Sequence, residues 1–103
     1  MSFTILVHEK ADEELSHAYE WYEGQKSGLG EQFLKELGKQ TSLLQSNPYL
    51  FQITYKNYRT AALKTFPYLI IFEIEETIII IYSIFHTSRN PKIWKTWTIH
   101  KLK

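Results

Sequence analysis

The chain contains no cysteine, which excludes disulfides and thiolate metal sites and fits a reducing compartment. It also lacks any apolar run of the roughly 18 residues that a bilayer-spanning helix requires. The longest such stretch, Ile78 to Ile81 with its flanks, is of strand length. Residues 1 to 8 do not show a basic segment, an apolar segment and a small-residue cleavage site in succession, so no signal peptide is read there and a cytoplasmic location is expected. The four histidines are scattered without ligand spacing, and neither a metal nor any other cofactor is expected. Repeats, linkers and low-complexity segments are missing as well. With 103 residues the chain matches one hydrophobic core, and a single domain over 1–103 is expected.

A large net charge is also absent, yet the value of +1 conceals segregation. Residues 1 to 38 hold eight acids against three bases, and 39 to 72 hold four bases and no acid. Glu73, Glu75 and Glu76 follow, and 89 to 103 hold five bases and no acid. Such a chain can present faces of opposite sign, one of which attracts phosphate or an acidic partner. Alternatively, the lysines sit at solvated strand edges and discourage aggregation.

Phe3 to Val7 is a short apolar, β-branched run, read as a first strand able to sit inside a sheet. Ala11, Leu15, Ala18 and Tyr22 then recur at helical spacing, which predicts an amphipathic helix from about 10 to about 25 with an acidic first turn. Gly24 and the Gly28 to Gly30 segment break it. A second periodic set, Leu29, Phe33, Leu37 and Leu44, runs to Asn47-Pro48, where proline ends the helix. The two helices form a hairpin. Strands follow: Phe51 to Tyr55, then Arg59 to Lys64 after a turn at Lys56-Asn57-Tyr58, then a segment after Pro67 in which Ile70, Phe72 and Ile74 face opposite to Leu69, Ile71 and Glu73. Thr77 to Phe85 is almost unbroken apolar sequence and reads as a strand covered on both faces. These elements predict an α+β two-layer domain: an N-terminal strand, a helical hairpin, then an antiparallel β-meander with the helices on one face.

Cationic and imidazole side chains stand at the ends of these strands. His86, with an ordinary pKa of about 6.5, can act as an acid or a base, and Arg59 and Arg89 can hold phosphate in a bidentate manner. Lys56 and Lys64 can assist. The plainer alternatives are a strand-end His86 bonded to the following turn, and an Arg59 paired with Glu73 or Glu75. Tyr19, Trp21 and Tyr22 read most simply as core or hairpin packing. From Trp94 to Lys103, the residues Trp94, Trp97, Ile99 and Leu102 interleave with lysines, so this tail either packs on the sheet or docks a partner.

Taken together, Trp21-Tyr22-Glu23, Gly28-Leu29-Gly30-Glu31-Gln32-Phe33, Arg59, Leu63, Phe66-Pro67-Tyr68 and the run His86-Thr87-Ser88-Arg89-Asn90-Pro91-Lys92-Ile93-Trp94 resemble the RelE/ParE superfamily of bacterial type II toxin-antitoxin toxins. The closer likeness is to the ParE-like branch. The resemblance implies a plasmid-stabilization type of toxin, silenced by a cognate antitoxin in a hetero-oligomer. ParE-like members inhibit DNA gyrase, whereas RelE-like members cleave messenger RNA on the ribosome without a metal. A third possibility is a relative that binds antitoxin and harms nothing. If the chain is a nuclease, His86, Arg59 and Arg89 are its catalytic candidates. Lys56, Arg59, Lys64, Arg89, Trp94 and Trp97 are the candidates for antitoxin or target binding.

Overall fold

A computed structural model describes residues 3–95 of the chain. The elements are β1 (Thr4–Val7), α1 (Glu9–Gln25), α2 (Leu29–Ser46), a 3₁₀ turn (Pro48–Leu50), β2 (Ile53–Tyr55), β3 (Tyr58–Ala62), β4 (Tyr68–Glu75) and β5 (Ile78–His86). A helical turn over 92–95 ends the described chain. No helix among the described residues is long and apolar enough to cross a membrane.

The sheet has five strands in the order β1-β5-β4-β3-β2. β2 to β5 form the expected antiparallel meander, and β1 adds to β5 in parallel, which makes the sheet mixed. The apolar run of β1 suggests an inner strand, but β1 lies at an edge, with Leu6 and Val7 about half exposed. The reason is topological: the chain leaves β1 into the hairpin and returns along the sheet to place β5 beside it. The third strand is also shorter than its sequence suggests, ending at Ala62.

α1 starts where His8 Nδ1 accepts the Lys10 N–H at 3.1 Å, with Glu9 and Asp12 in the first turn. The hairpin link owes its shape to Glu23. Its carboxylate accepts the N–H of Gly28 at 3.0 Å and of Gly30 at 2.9 Å, which satisfies donors that the start of α2 would otherwise leave bare. Gly28 has φ +91°, a conformation that favours glycine. Gly30 is glycine for a different reason: a Cβ there would lie 2.8 Å from both Glu23 Oε1 and the Tyr19 ring.

Between the helices and the sheet, Tyr22, Phe33, Phe66 and Tyr68 pack edge to face or tilted, with Tyr22 to Phe66 centroids 4.9 Å apart and Phe33 to Tyr68 at 5.3 Å. The Phe66-Pro67-Tyr68 turn thus plugs into the hairpin, which explains why these distant pieces of sequence occur together. Ile70, Phe72, Ile79, Ile81 and Ile84 complete this layer. On the opposite face Tyr58, Ile71, Tyr82, Phe85 and Trp94 form a second cluster. In β5 the helix-facing residues change from odd (Ile79, Ile81) to even (Ile84), because a bulge leaves Ile71 opposite Ser83 but Phe72 opposite Ile81.

Replacing Glu23 with Ala should lower unfolding stability by about 1.5–3 kcal/mol, the worth of hydrogen bonds to a charged group. Gly30→Ala should cost about 1–3 kcal/mol through crowding. Urea titration checks both, and an unmoved midpoint for either variant would contradict this account of the link.

Candidate functional site

β1 accompanies β5 only as far as Ile81, whose carbonyl accepts the His8 N–H at 2.8 Å. Beyond it α1 takes over the edge. The Glu14 carboxylate accepts the Ile84 N–H at 3.0 Å and the Ser83 hydroxyl at 2.7 Å through Oε1, which satisfies the polar groups that the bulge turns away from the ladder. Its Oε2 stands 3.8 Å from Nη1 of Arg89. One carboxylate therefore links the first helix, the bulge and the loop after the last strand.

That loop is folded tightly. Thr87 N–H reaches the Pro67 carbonyl at 2.8 Å, and Arg89 N–H reaches that of His86 at 3.1 Å. The Arg89 guanidinium also lies over the Phe85 ring at 5.0 Å. His86 Nδ1 accepts the Ser88 N–H at 3.1 Å and meets the Ser88 hydroxyl at 2.7 Å, while its ring stands edge-on to Tyr68 at 4.9 Å. A backbone N–H can only donate, so Nδ1 carries the lone pair and the neutral ring bears its proton on Nε2. The bond to the following turn is thus realised in the structure.

His86 and Arg89 come together in a cleft of about 310 Å³, walled by His17, Trp21 and Tyr68 and floored by Ala18 and Ile84. Burial, aided by Tyr22 and Glu14, pushes the Tyr68 hydroxyl up to about 12, so at neutral pH it is a protonated phenol and no base. Sequence reasoning missed Glu14 and His17, which look like ordinary helix-surface residues. It also placed Trp21 in the core or the hairpin packing, whereas the side chain is 60% exposed with its edge against Tyr22.

The other candidates lie elsewhere. Arg59 on β3 donates to the Phe51 carbonyl at 2.6 Å and covers the Tyr49 ring at 5.1 Å, so its partner is a carbonyl and an aromatic face rather than Glu73 or Glu75. Glu73 instead accepts from Tyr82 at 3.1 Å. Arg59 is level with Phe72 and His86 with Tyr68, which separates the two by roughly 13 Å along β4, as well as by the width of β4 itself, which lies between β3 and β5. Lys64 joins Lys35 and Lys39 around a groove of about 440 Å³ between α2 and the β3–β4 loop. Glu36 in that groove is raised by desolvation, but the Thr65 N–H at 2.7 Å and its neighbours outweigh this and hold the carboxyl below its ordinary value. Lys56, in the β2–β3 turn, lies over Tyr55. Trp94 corrects the sequence reading: at 1% exposure, with its ring edge-on to Tyr55 and Tyr58, it belongs to the core and offers no contact surface. Trp97, with the rest of the tail, lies outside the described residues.

The family model described as "ParE toxin of type II toxin-antitoxin system, parDE" matches residues 5–91. Among solved structures, the chromosomal ParDE toxin-antitoxin system from P. aeruginosa contains a chain that superposes with a TM-score of 0.73 at 18% identity, covering 82% of this chain and 96% of that one. That likeness is one of fold. No curated protein matches the sequence.

Glu14→Ala should cost about 2–4 kcal/mol, because it strips partners from a buried N–H and a buried hydroxyl. Arg89→Ala should cost at most about 1 kcal/mol, since its ion pair is long and its side chain is 43% exposed. Chemical denaturation of both variants checks the order, and a larger loss for Arg89→Ala would contradict the assigned roles.

Proposed function

Since the chain belongs to the ParE toxin family of type II toxin-antitoxin systems, we propose that it disables its target by binding rather than by cleaving RNA. DNA gyrase in the cytoplasm is the proposed target, and a cognate antitoxin neutralises the toxin in a hetero-oligomer, in the manner of a plasmid-stabilization system. What supports binding over catalysis is the state of His86. Metal-free RNA cleavage needs a base for the 2′-hydroxyl, an acid for the leaving oxygen and cations around one phosphate. His86 has its lone pair engaged by Ser88, Tyr68 keeps its proton, and Arg59 is remote from both. Arg89 has the Glu14 carboxylate beside it.

For the antitoxin, the supporting features are the groove of Lys35, Lys39 and Lys64 and the outer edge of β1, which pairs with no other strand among the described residues. Lysines around an open groove suit an acidic segment, and a strand edge suits an extended one that orders on binding. Lys56 and Arg59 extend the basic character toward β2.

Induction in a host without the antitoxin tests the reading. His86→Ala and Arg59→Ala should each leave growth arrest within about 10-fold of the parent, whereas loss of an acid/base or phosphate-holding group in a nuclease costs ~10²-fold or more. The purified chain should inhibit gyrase supercoiling and leave ribosome-bound messenger RNA intact. Rapid messenger cleavage abolished by either substitution would establish the nuclease instead.

A further inference from the structure

Among the described residues, the outward stripe of α1 is left unused by the packing and by the groove assigned to the antitoxin. Glu13, His17, Glu20 and Gly24 follow one another at helical spacing on the side opposite the buried Ala11, Ala18 and Tyr22, and Trp21 flanks them toward the cleft. Trp21 exposes 60% of its surface. Gly24 is helical and is not among the positive-φ residues, and a Cβ built on it would meet nothing within 4 Å. Neither backbone conformation nor internal packing therefore asks for glycine here, although glycine weakens a helix. Its effect on the surface is to bare the backbone one turn beyond the exposed indole.

The charge of this face is also distinctive. α1 carries Glu9, Asp12, Glu13 and Glu20 exposed to solvent, whereas the groove on α2 is lined by Lys35, Lys39 and Lys64 against one carboxylate, Glu36, which is engaged by the Thr65 N–H. One molecule thus shows two surfaces of opposite sign, and an acidic segment suited to the second is repelled by the first.

We propose that the Glu13–His17–Glu20–Trp21–Gly24 face of α1 is the contact for the toxin's target, and that it takes a protein segment bearing an arginine or lysine beside apolar side chains. The cation lies over the Trp21 ring, the strongest aromatic partner for a cation, and is neutralised by Glu20 and Glu13. The apolar part lies on the bare backbone at Gly24, where any side chain would hold it away. An exposed tryptophan within a charged rim has the character of a binding hot spot. This assignment rests on the reading of the chain as a toxin that acts by contact, and it separates the target surface from the antitoxin surface.

Three variants of the full chain test it: Trp21→Ala, Gly24→Leu and the charge reversal Glu13→Lys/Glu20→Lys. Each is induced alone and with the antitoxin, and viable counts, co-purification with antitoxin and the Tm of the complex are measured. All three should raise surviving counts at least 10-fold over the parent while antitoxin co-purifies undiminished. Gly24→Leu should do so with a Tm at or above that of the parent, which a merely structural role for this face would not produce. Variants as toxic as the parent would overturn the proposal. Loss of antitoxin binding would overturn it too, by giving the face to the antitoxin, and stronger killing by the charge reversal would overturn the basic partner. If the parent chain itself leaves counts unchanged, the toxin reading fails, and this assignment with it.

Discussion

β5 outruns the strand beside it, and the carboxylate of Glu14 supplies what the missing neighbour would have supplied. A sheet edge that carries a bulge presents N–H groups which must find acceptors when they are covered. Glu14 reaches from α1 to the Ile84 N–H and the Ser83 hydroxyl, which fixes the helix against the sheet at the point where the bulge changes the facing of the strand. Below the bulge Ile79 and Ile81 fill the layer under the helices, and above it Ile84 does. Without an acceptor there, both the bulge and the approach of α1 would be unfavourable, and the cleft between them would lose its walls.

A second carboxylate does the same at the other end of α1. Glu23 holds the start of α2 through two backbone N–H groups, and Tyr22, one residue earlier, points into the aromatic layer with Phe33, Phe66 and Tyr68. Two of the acids on the first helix are thus internal fittings, while Glu13 and Glu20 remain on the surface. The basic residues are divided as well: Arg59 and Arg89 are tied to a carbonyl, a carboxylate and aromatic faces, and the lysines on α2 and the β3–β4 loop line an open groove. A protein that presents one acidic and one basic surface is equipped to meet two partners of different chemistry.

Much of this architecture was legible in the sequence because it rests on local pattern. The 3.6-residue spacing of Ala11, Ala18 and Tyr22 gave the first helix, Asn47-Pro48 marked the end of the second, and the alternation of Ile70 and Phe72 with Leu69 and Ile71 assigned the faces of β4 correctly. What escaped depends on contacts distant in sequence. The edge position of β1 follows from parallel pairing with a strand more than 70 residues later. The bulge is hidden because Ile78 to Ile81 is apolar at every position, so parity carries no signal. Glu14 and Glu23 look like solvated helix acids, since a backbone N–H leaves no mark in the sequence of its acceptor. Conversely, Trp21, expected in the core or the hairpin packing, is exposed, and of the two readings open for Trp94 the enclosed one holds.

The proposal that the toxin acts by contact requires that the cleft at the end of β5 offer no base for proton abstraction, and this depends on where the ring proton of His86 resides. Long-range proton–nitrogen correlation spectra of the uniformly ¹⁵N-labelled chain above neutral pH report this directly. The account predicts a proton on Nε2 and a bare Nδ1 accepting from Ser88. A proton on Nδ1, with a bare Nε2 available as a base, would contradict it.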